Sequence, residues 1–548
     1  MLKTIRVLAA AICFSGLVLL FVDVSGFAPE NLAFLAKFQL VPAVLAGSLG
    51  AAGVLLAASL AFGRIYCSTI CPLGVMQDVL ARLKPKRRYR FAPSRAWLRP
   101  AALALFILAF AAGLPLIFGL LEPYSAFGRI AADIFAPVWA VGSNGLALAA
   151  ERMDSFAVGL TPVWQKGFAA LAAAIATLAV LGVLAWRGGR TWCNTLCPVG
   201  TFLGQINRVA LIRPRLDREK CVHCGNCERV CKARCIDAET GTLDAGRCVS
   251  CFNCLKTCRK DALAWRPSLN VRPGLERVLF KCLHALQGFA AQILAARCSQ
   301  EGFARRYAST SNVIVSRQAA IVAAPQGERA APRAMARHFA TDTSRRAFFS
   351  GMGFALGTAA LPLSALAAAR EAVIPALTRK ISPERAVPVL PPGAGGLASF
   401  TRKCTGCQLC VTACPHQALR SSDIGGRALQ PAMGFERGYC RVNCVTCSSV
   451  CPTGAVRPIS VEQKSALQIG RAVVHTEICI VTTDDVSCTA CAKACPPGAI
   501  SLAGADGTRK RPVVDTERCI GCGACEYVCP ARPVSAVMVE GNLEHRMV

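Results

Sequence analysis

Four apolar runs, each about the length a helix needs to cross a bilayer, dominate the first two hundred residues, at about 5–27, 40–62, 98–121 and 167–186. Crossing takes roughly 20 residues of helix. The pattern therefore predicts an α-helical four-span membrane unit over residues 1–213. After the second run come Lys84, Lys86, Arg87, Arg88 and Arg90, and after the fourth come Arg187, Arg190, Arg208 and Arg213. The cationic side of a span faces the cytoplasm, so both segments and the N-terminus are expected inside. The loops after the first and third runs are balanced, with Glu30 against Lys37 and Glu122 against Arg129 and Asp133, as suits the opposite face. Residues 130–150 are apolar enough to rest on the membrane surface.

From residue 214 the pattern changes to short apolar stretches split by Gly, Pro and Cys, which predicts small soluble domains. The first spans 214–266. A basic linker over 267–340 follows, in which Leu275, Leu279, Leu286 and Ile293 recur at helical spacing; this fits a helix on anionic lipid or one packed on the neighbouring module. Residues 341–370 hold Arg345-Arg346 followed by Phe348-Phe349 and a Gly/Ala-rich apolar segment, the pattern of a twin-arginine export signal or a membrane anchor. Residues 371–548 would then be an exported domain. Clusters are assembled in the cytoplasm, so such a domain must cross already folded, and the twin-arginine route suits that need.

Composition sharpens this reading. The 548 residues include 32 cysteines and carry a net charge of +30. The cations flank apolar runs or fill the linker rather than forming a recognition module, so they read as topology signals and no nucleic-acid partner is expected. Many cysteines in one chain can mean disulfides. Here, however, they repeat C-x2-C-x2-C-x3-C, the spacing that presents thiolates to a [4Fe-4S] cube from one tight turn.

Six groups of four cysteines are present, four of them with this spacing. The 214–266 module holds Cys221, Cys224, Cys227 and Cys231, then Cys248, Cys251, Cys254 and Cys258. This is two-cluster spacing, in which the fourth cysteine of each group completes the other cluster. Lys232 and Arg259 replace the usual Pro after the fourth cysteine. The C-terminal domain holds Cys404, Cys407, Cys410 and Cys414; Cys440, Cys444, Cys447 and Cys451; Cys479, Cys488, Cys491 and Cys495; and Cys519, Cys522, Cys525 and Cys529. The second and third of these depart from regular spacing, and which groups exchange fourth ligands stays open at this level. Up to six [4Fe-4S] clusters are expected, in a multidomain protein that joins the membrane unit to α+β ferredoxin-like domains. Cys13, Cys235, Cys282 and Cys298 fit no pattern and read as plain thiols.

The membrane unit also repeats internally. Residues 63–74, GRIYCSTICPLG, match residues 189–200, GRTWCNTLCPVG, almost position by position. The repeat brings two C-x3-C-P motifs together at one face, making Cys67, Cys71, Cys193 and Cys197 candidates for a metal, a cluster or dithiol chemistry. No C-x-x-C-H occurs and no histidine precedes His223, so no haem is expected. No dinucleotide fingerprint, P-loop or nucleophile triad is apparent.

With these motifs in place, residues 1 to about 266 resemble the NapH family of quinol dehydrogenase membrane subunits, and residues from about 335 onward resemble the NapG family of exported four-cluster proteins. The resemblance implies a fusion, in a bacterial inner membrane, that acts as the quinol dehydrogenase component of an oxidoreductase. Such a protein oxidises membrane quinol and passes electrons to a periplasmic cytochrome c or reductase, with nitrate reductase the best-known destination. The competing reading is a redox accessory factor that matures a metalloenzyme by reducing a metal or a disulfide. Asp78, Gln205, Glu122 and Asp133 are the polar groups at the span boundaries available to a quinone.

Overall fold

The computed structural model describes residues 2–23, 27–83, 88–93, 97–155, 159, 161, 163–164, 166–267, 380–423, 427–504 and 510–548, which lie in one compact unit. The twin-arginine pair, the apolar segment after it, the amphipathic stretch of the linker, and Lys84, Lys86 and Arg87 lie outside the described residues.

Three described helices are long and apolar enough to cross a membrane: Leu2–Val22 (α1), Pro123–Glu151, and Phe168–Gly188 (α11). The second and third expected spans are interrupted. The second divides into Leu40–Leu45 (α3) and Leu49–Phe62 (α4) around Gly47, whose φ of +70° no helix continues through. The third divides into Leu98–Ala111 (α7) and Pro115–Leu121 (α8) around Gly113, at φ +67°. Phe27–Lys37 (α2) fills the turn after α1.

The segment read as apolar enough for the membrane surface forms most of a continuous helix. It begins as Pro123–Ile130 (α9), passes through a π-helical turn at Ala131–Phe135, and continues as Ala136–Glu151 (α10). Every residue of α9 is buried. Glu122 caps it, accepting from the Tyr124 N–H at 3.0 Å and from the Ser125 N–H.

After α4 and after α11 the chain repeats one supersecondary unit: a short helix, then a longer one opened by Cys-Pro. These are Ile65–Thr69 (α5) with Pro72–Arg82 (α6), and Thr191–Thr195 (α12) with Pro198–Arg208 (α13). The halves interlock. α11 of the second half packs on α6, and α4 of the first half packs on α13.

The soluble segments are built from two-stranded antiparallel pairs. Ile212–Leu216 (β1) pairs with Leu263–Pro267 (β4), and Ile236–Asp237 (β2) pairs with Thr242–Leu243 (β3), framing the first module. In the C-terminal module Leu419–Ser421 (β5) pairs with Pro431–Met433 (β6). Leu467–Val474 (β7) pairs with Val537–Met547 (β10), and Ile500–Ala503 (β8) with Arg511–Val514 (β9).

The two modules dock at opposite ends of α11. At its start, Asp423 of the C-terminal module accepts from the Ala169 N–H at 2.9 Å and the Phe168 N–H at 3.4 Å. At its end Gly188 lies against Arg234, and the Arg190 N–H donates to the Lys232 carbonyl at 2.9 Å, both partners in the first module. A 21-residue helix separates these ends by about 30 Å, the thickness of a bilayer's hydrocarbon core.

Candidate iron-sulfur relay

The loops around the cysteines share one backbone signature. In each of the four regular C-x2-C-x2-C turns, the residues flanking the second cysteine take positive φ: His223 and Gly225, Ser250 and Phe252, Gly406 and Gln408, Gly521 and Gly523. Two left-handed residues around one cysteine curl the loop so that three thiols face a common centre. A third such residue follows the fourth cysteine by three positions in five of the groups: Arg234, Asp261, Gln417, Gly454 and Gly498. The first two lie in the first module, so replacing Pro by Lys232 and Arg259 leaves the turn intact.

The C-terminal groups exchange their fourth cysteines between neighbours. Cys404 and Cys410 have Cys451 beside them, whereas Cys414 stands with Cys440, Cys444 and Cys447. Cys495 joins Cys519, Cys522 and Cys525, and a small cavity is walled by Cys479, Cys488, Cys491 and Cys529. The irregular third group thus keeps Cys479 as a wall residue in spite of its x8 spacing. In the first module a similar cavity is walled by Cys231, Cys248, Cys251 and Cys254. No group of three or more His, Cys, Asp or Glu among the described residues has single-ion spacing. The sets instead present four sulfurs around a shared space, a donor set that suits a [4Fe-4S] cube. Backbone N–H groups point at the sulfurs, from Ala499 to Cys495 at 3.2 Å, Ala536 to Cys529 at 3.3 Å and Val456 to Cys451 at 3.4 Å. Such donors favour the more electron-rich, reduced cluster.

The four sets form a series. The Cys440 N–H donates to the Cys522 carbonyl at 3.0 Å, joining the second set to the last. The first set meets the membrane unit, where Gly119 of α8 lies against the Thr405 carbonyl and Gly128 of α9 against that of Cys407. Glu122 and Arg129 stand within electrostatic reach of Cys407, and Tyr124 within reach of Cys407, Cys410 and Cys451.

Cys235, read from the sequence as a plain thiol, lines the cavity of the Cys231 set with its sulfur 3.5 Å from that of Cys231. Its hydrogen bond holds the Cys231 thiol down to about 7. The signal was positional. Cys235 stands four residues after a fourth cysteine, where Ala262, Ala418, Ala455 and Ala499 stand in other groups.

The repeated membrane motif brings Cys67, Cys71, Cys193 and Cys197 together, all buried, with each of the other three close enough to oppose ionisation of Cys197. Its remaining residues explain the geometry. Cys71 and Cys197 are the N-caps of α6 and α13, and Pro72 and Pro198 open those helices. The Gly200 N–H donates to the Cys197 sulfur at 3.3 Å. A side chain at Gly74 or Gly200 would strike the carbonyl of Cys67 or Cys193 respectively. The arginines cross over: Arg64 Nη2 donates to the Cys193 carbonyl at 2.9 Å and Arg190 Nη1 to the Cys67 carbonyl at 2.5 Å. The two halves are therefore related by a pseudo-twofold, and the two arginines, fully buried, tie them together.

This assigns two expected residues differently. Arg190, read as a topology charge, is buried and paired. Asp78, a candidate quinone group, is taken up by Arg190 at 2.8 Å, Lys232 at 2.9 Å and Arg6 at 3.4 Å. Burial opposes its ionisation, but Arg190 and Lys232 outweigh that and hold its carboxyl well below the usual range. Lys232 in turn stands within reach of Cys251, so the first module's inner set abuts the cysteine core. On the core's other side, Tyr66 donates to Gln39 Oε1 at 3.0 Å and lies within reach of both Cys71 and Glu122. Gln205 is exposed and bonded by Arg208 at 3.1 Å.

Cysteine sets at the two ends of a hydrophobic helix, with a third between them, define a ferredoxin-type iron-sulfur protein associated with a membrane. Comparison with known proteins agrees. A family model described as a 4Fe-4S binding domain matches residues 44–90 and 168–219, the segments that carry the C-x3-C-P motifs. One described as a 4Fe-4S dicluster domain matches residues 403–455 and 486–532. Homologues of this chain are the NapH and MauN ferredoxin-type proteins. The methylamine utilization ferredoxin-type protein MauN of Methylorubrum extorquens is 29% identical over 218 residues, 38% of this chain and 62% of MauN. The ferredoxin-type protein NapH of Haemophilus influenzae is 29% identical over 185 residues, 33% of this chain and 52% of NapH. The putative electron transport protein YccM of Escherichia coli is 26% identical over 204 residues, 36% of this chain and 50% of YccM. The chain spans between half and five-eighths of the length of these relatives. No solved structure matches it. A general electron-transfer role by iron-sulfur clusters follows from the cysteine sets and these relatives together.

Proposed function

We propose that this chain is the quinol-oxidising component of a membrane electron-transfer chain, taking electrons from membrane quinol and passing them through up to six [4Fe-4S] clusters to a periplasmic cytochrome c or reductase, with a nitrate reductase-type system the first candidate. The observation that carries the reading is the docking of the Cys404, Cys407, Cys410 and Cys451 set onto α8 and α9, where the membrane helices end. When bound, clusters supply one-electron steps, and the protein sets their spacing and potentials.

The chain's own residues do the rest. The exchange of Cys414 and Cys451 between the first two groups, and the Cys440 to Cys522 link, keep the four sets in one file leading away from the membrane. Arg129, with its Nε and Nη1 buried and free of hydrogen bonds, places positive charge beside the first set and favours an added electron there. Under this reading the N-terminus and the first module are cytoplasmic and the C-terminal module is periplasmic, which the docking at opposite ends of α11 supports.

The buried cysteine core favours a second, linked role. Arg190, Lys232 and Arg6 converge on a single carboxylate, Asp78, and a fourth buried cation, Arg64, donates to the Cys193 carbonyl with no carboxylate on it among the described residues. Such an excess of buried cations is best balanced by anionic sulfur. The core then serves as a redox-active thiolate or metal-thiolate station between the modules, or as the reducing site of a maturation factor.

The test is to mix oxidised, cluster-loaded protein with a reduced quinol and follow cluster reduction by electron paramagnetic resonance. Reduction within the turnover time is expected. Its absence refutes quinol oxidation, and an unchanged rate and extent in Cys67→Ser and Cys193→Ser proteins refutes a relay role for the core.

A further inference from the structure

A cavity of about 430 Å³ lies where α1 and α10 meet the C-terminal module. Its volume falls in the range of small-molecule sites, roughly 300–1,000 Å³. One wall comes from two helices of membrane-crossing length: Phe21 and Val22 at the end of α1, and Ala136, Pro137 and Ala140 just after the π-helical turn, in the middle of the continuous helix Pro123–Glu151. The opposite wall is the chain leading into a cluster ligand, from Val411 through Cys414 to Pro415. A lipid-soluble molecule entering between α1 and α10 would therefore stop against the second cysteine set, one residue from Cys410 of the first.

The remaining wall is polar and aromatic. Trp164 closes one side, its ring held by the Arg437 guanidinium 5.1 Å from the centroid. Lys166 reaches the cavity and donates from Nζ to the Ala132 carbonyl at 3.0 Å. Behind it, Asp133 has a carboxylate oxygen, Oδ2, that is buried with no hydrogen-bond partner. Asp133 sits in the π-helical turn, a backbone irregularity that often marks a functional position in a helix. Asp23, on the α1 side, also lines the cavity.

We infer that this cavity is the quinol-headgroup site, with its ring between Trp164 and the apolar residues of α1 and α10, one of its oxygens on Lys166, and its electrons leaving toward the Cys404 and Cys414 sets. This rests on the quinol reading above and adds the site. The balance is closed: quinol loses two electrons and two protons to become quinone. Bound clusters would take the electrons one at a time, and the carboxylate of Asp23, which lines the cavity, and that of Asp133, behind Lys166, would take the two protons and release them to solvent. Electrons need not cross the bilayer to reach the C-terminal module, which leaves the buried cysteine core to serve the first module.

The experiment uses the full cluster-loaded chain with two readouts: photolabelling by an azidoquinone located by peptide mass spectrometry, and the rate of cluster reduction by decylubiquinol. Ala140→Trp fills the cavity, and Lys166→Met removes the polar anchor at similar length. Val138→Trp, on the exposed side of the same helix, is the control. Labels are expected on residues 21–23, 136–140 or 164–166. Both cavity variants should be slowed about tenfold or more with quinol while keeping the wild-type spectrum after dithionite reduction, and Val138→Trp should be unaffected. If wild-type protein is reduced by quinol but Ala140→Trp is reduced equally fast and labels fall elsewhere, the site is overturned and the quinol reading survives. If labels fall in the cavity but quinol reduces nothing, the site stands as a quinone site and the electron-transfer reading fails. Neither labelling nor reduction overturns both.

Discussion

At the scale of single residues, the molecule spends charge where a sequence pattern shows only polarity. Asp78 looked like a boundary carboxylate open to a ligand, yet it compensates Arg190, Lys232 and Arg6. Asp78→Asn would leave those cations buried without their counter-ion, at a cost of about 3–5 kcal/mol. A matching loss in the urea midpoint of the purified protein, with release of the first module to protease, is the expected result. Cys235 is the opposite case, a thiol without a motif that touches a cysteine of the Cys231 set. Cys235→Ala restores the residue type found at that position in four other groups. It should keep the cluster content unchanged while lowering the potential of one cluster, because a donor to the Cys231 sulfur is lost. A redox titration followed by electron paramagnetic resonance reads both. His545 adds a pH term. Its ring is buried with neither nitrogen hydrogen-bonded, and burial lowers its pKa to about 4 from the ordinary 6.5. Between those values the unfolded chain takes up a proton that the folded chain refuses, so stability is full above about 6.5 and falls as pH drops toward 4. The loss reaches up to about 3 kcal/mol. Thermal melts of the wild type should show this slope, and His545→Phe should flatten it.

At the scale of elements, apolar length located the membrane unit but misjudged where its helices stop. Gly47 and Gly113 sit inside apolar runs, and only their left-handed backbone, invisible to a hydropathy window, turns two expected spans into broken ones. The run from 130 to 150 reads, by its apolarity alone, as a segment at the membrane surface, and the structure makes it part of the continuous helix Pro123–Glu151. Glu122 caps α9 and Arg129 donates to the Gly119 carbonyl, and Gly128 between them lies against the C-terminal module, which makes this helix an interface. Gly128 is the tight point of that interface. Gly128→Ala would push a methyl group into the Cys407 carbonyl and part α9 from the first cysteine set. Faster hydrogen exchange at residues 404–410 and slower quinol-driven reduction, with dithionite reduction intact, are expected.

At the scale of the whole molecule, the cysteine sets fall into two groups held at the ends of α11, with the repeated cysteine motif between them. Lys256 and Lys260 of the first module and Lys510 of the C-terminal module are exposed. In sealed vesicles of one orientation, a membrane-impermeant amine reagent should reach Lys510 from the face opposite the one that exposes Lys256 and Lys260. Modification of all three from one face would refute a transmembrane arrangement.

Local spacing by itself determined the chemistry of this protein. C-x2-C-x2-C-x3-C presents three thiols from one turn regardless of what surrounds it, and the duplicated G-R-x-x-C-x-T-x-C-P-x-G motif announced a pseudo-symmetric core before any contact was known. Tertiary structure decided everything that depends on which turn meets which. The exchange of Cys414 with Cys451 and of Cys495 with Cys529, the place of Cys235, the crossing of Arg64 and Arg190, and the cavity between α1, α10 and Cys414 all join residues far apart in the chain. Spacing cannot encode them, because each is settled by how the buried helices and loops pack, and by where a buried charge finds its counter-ion.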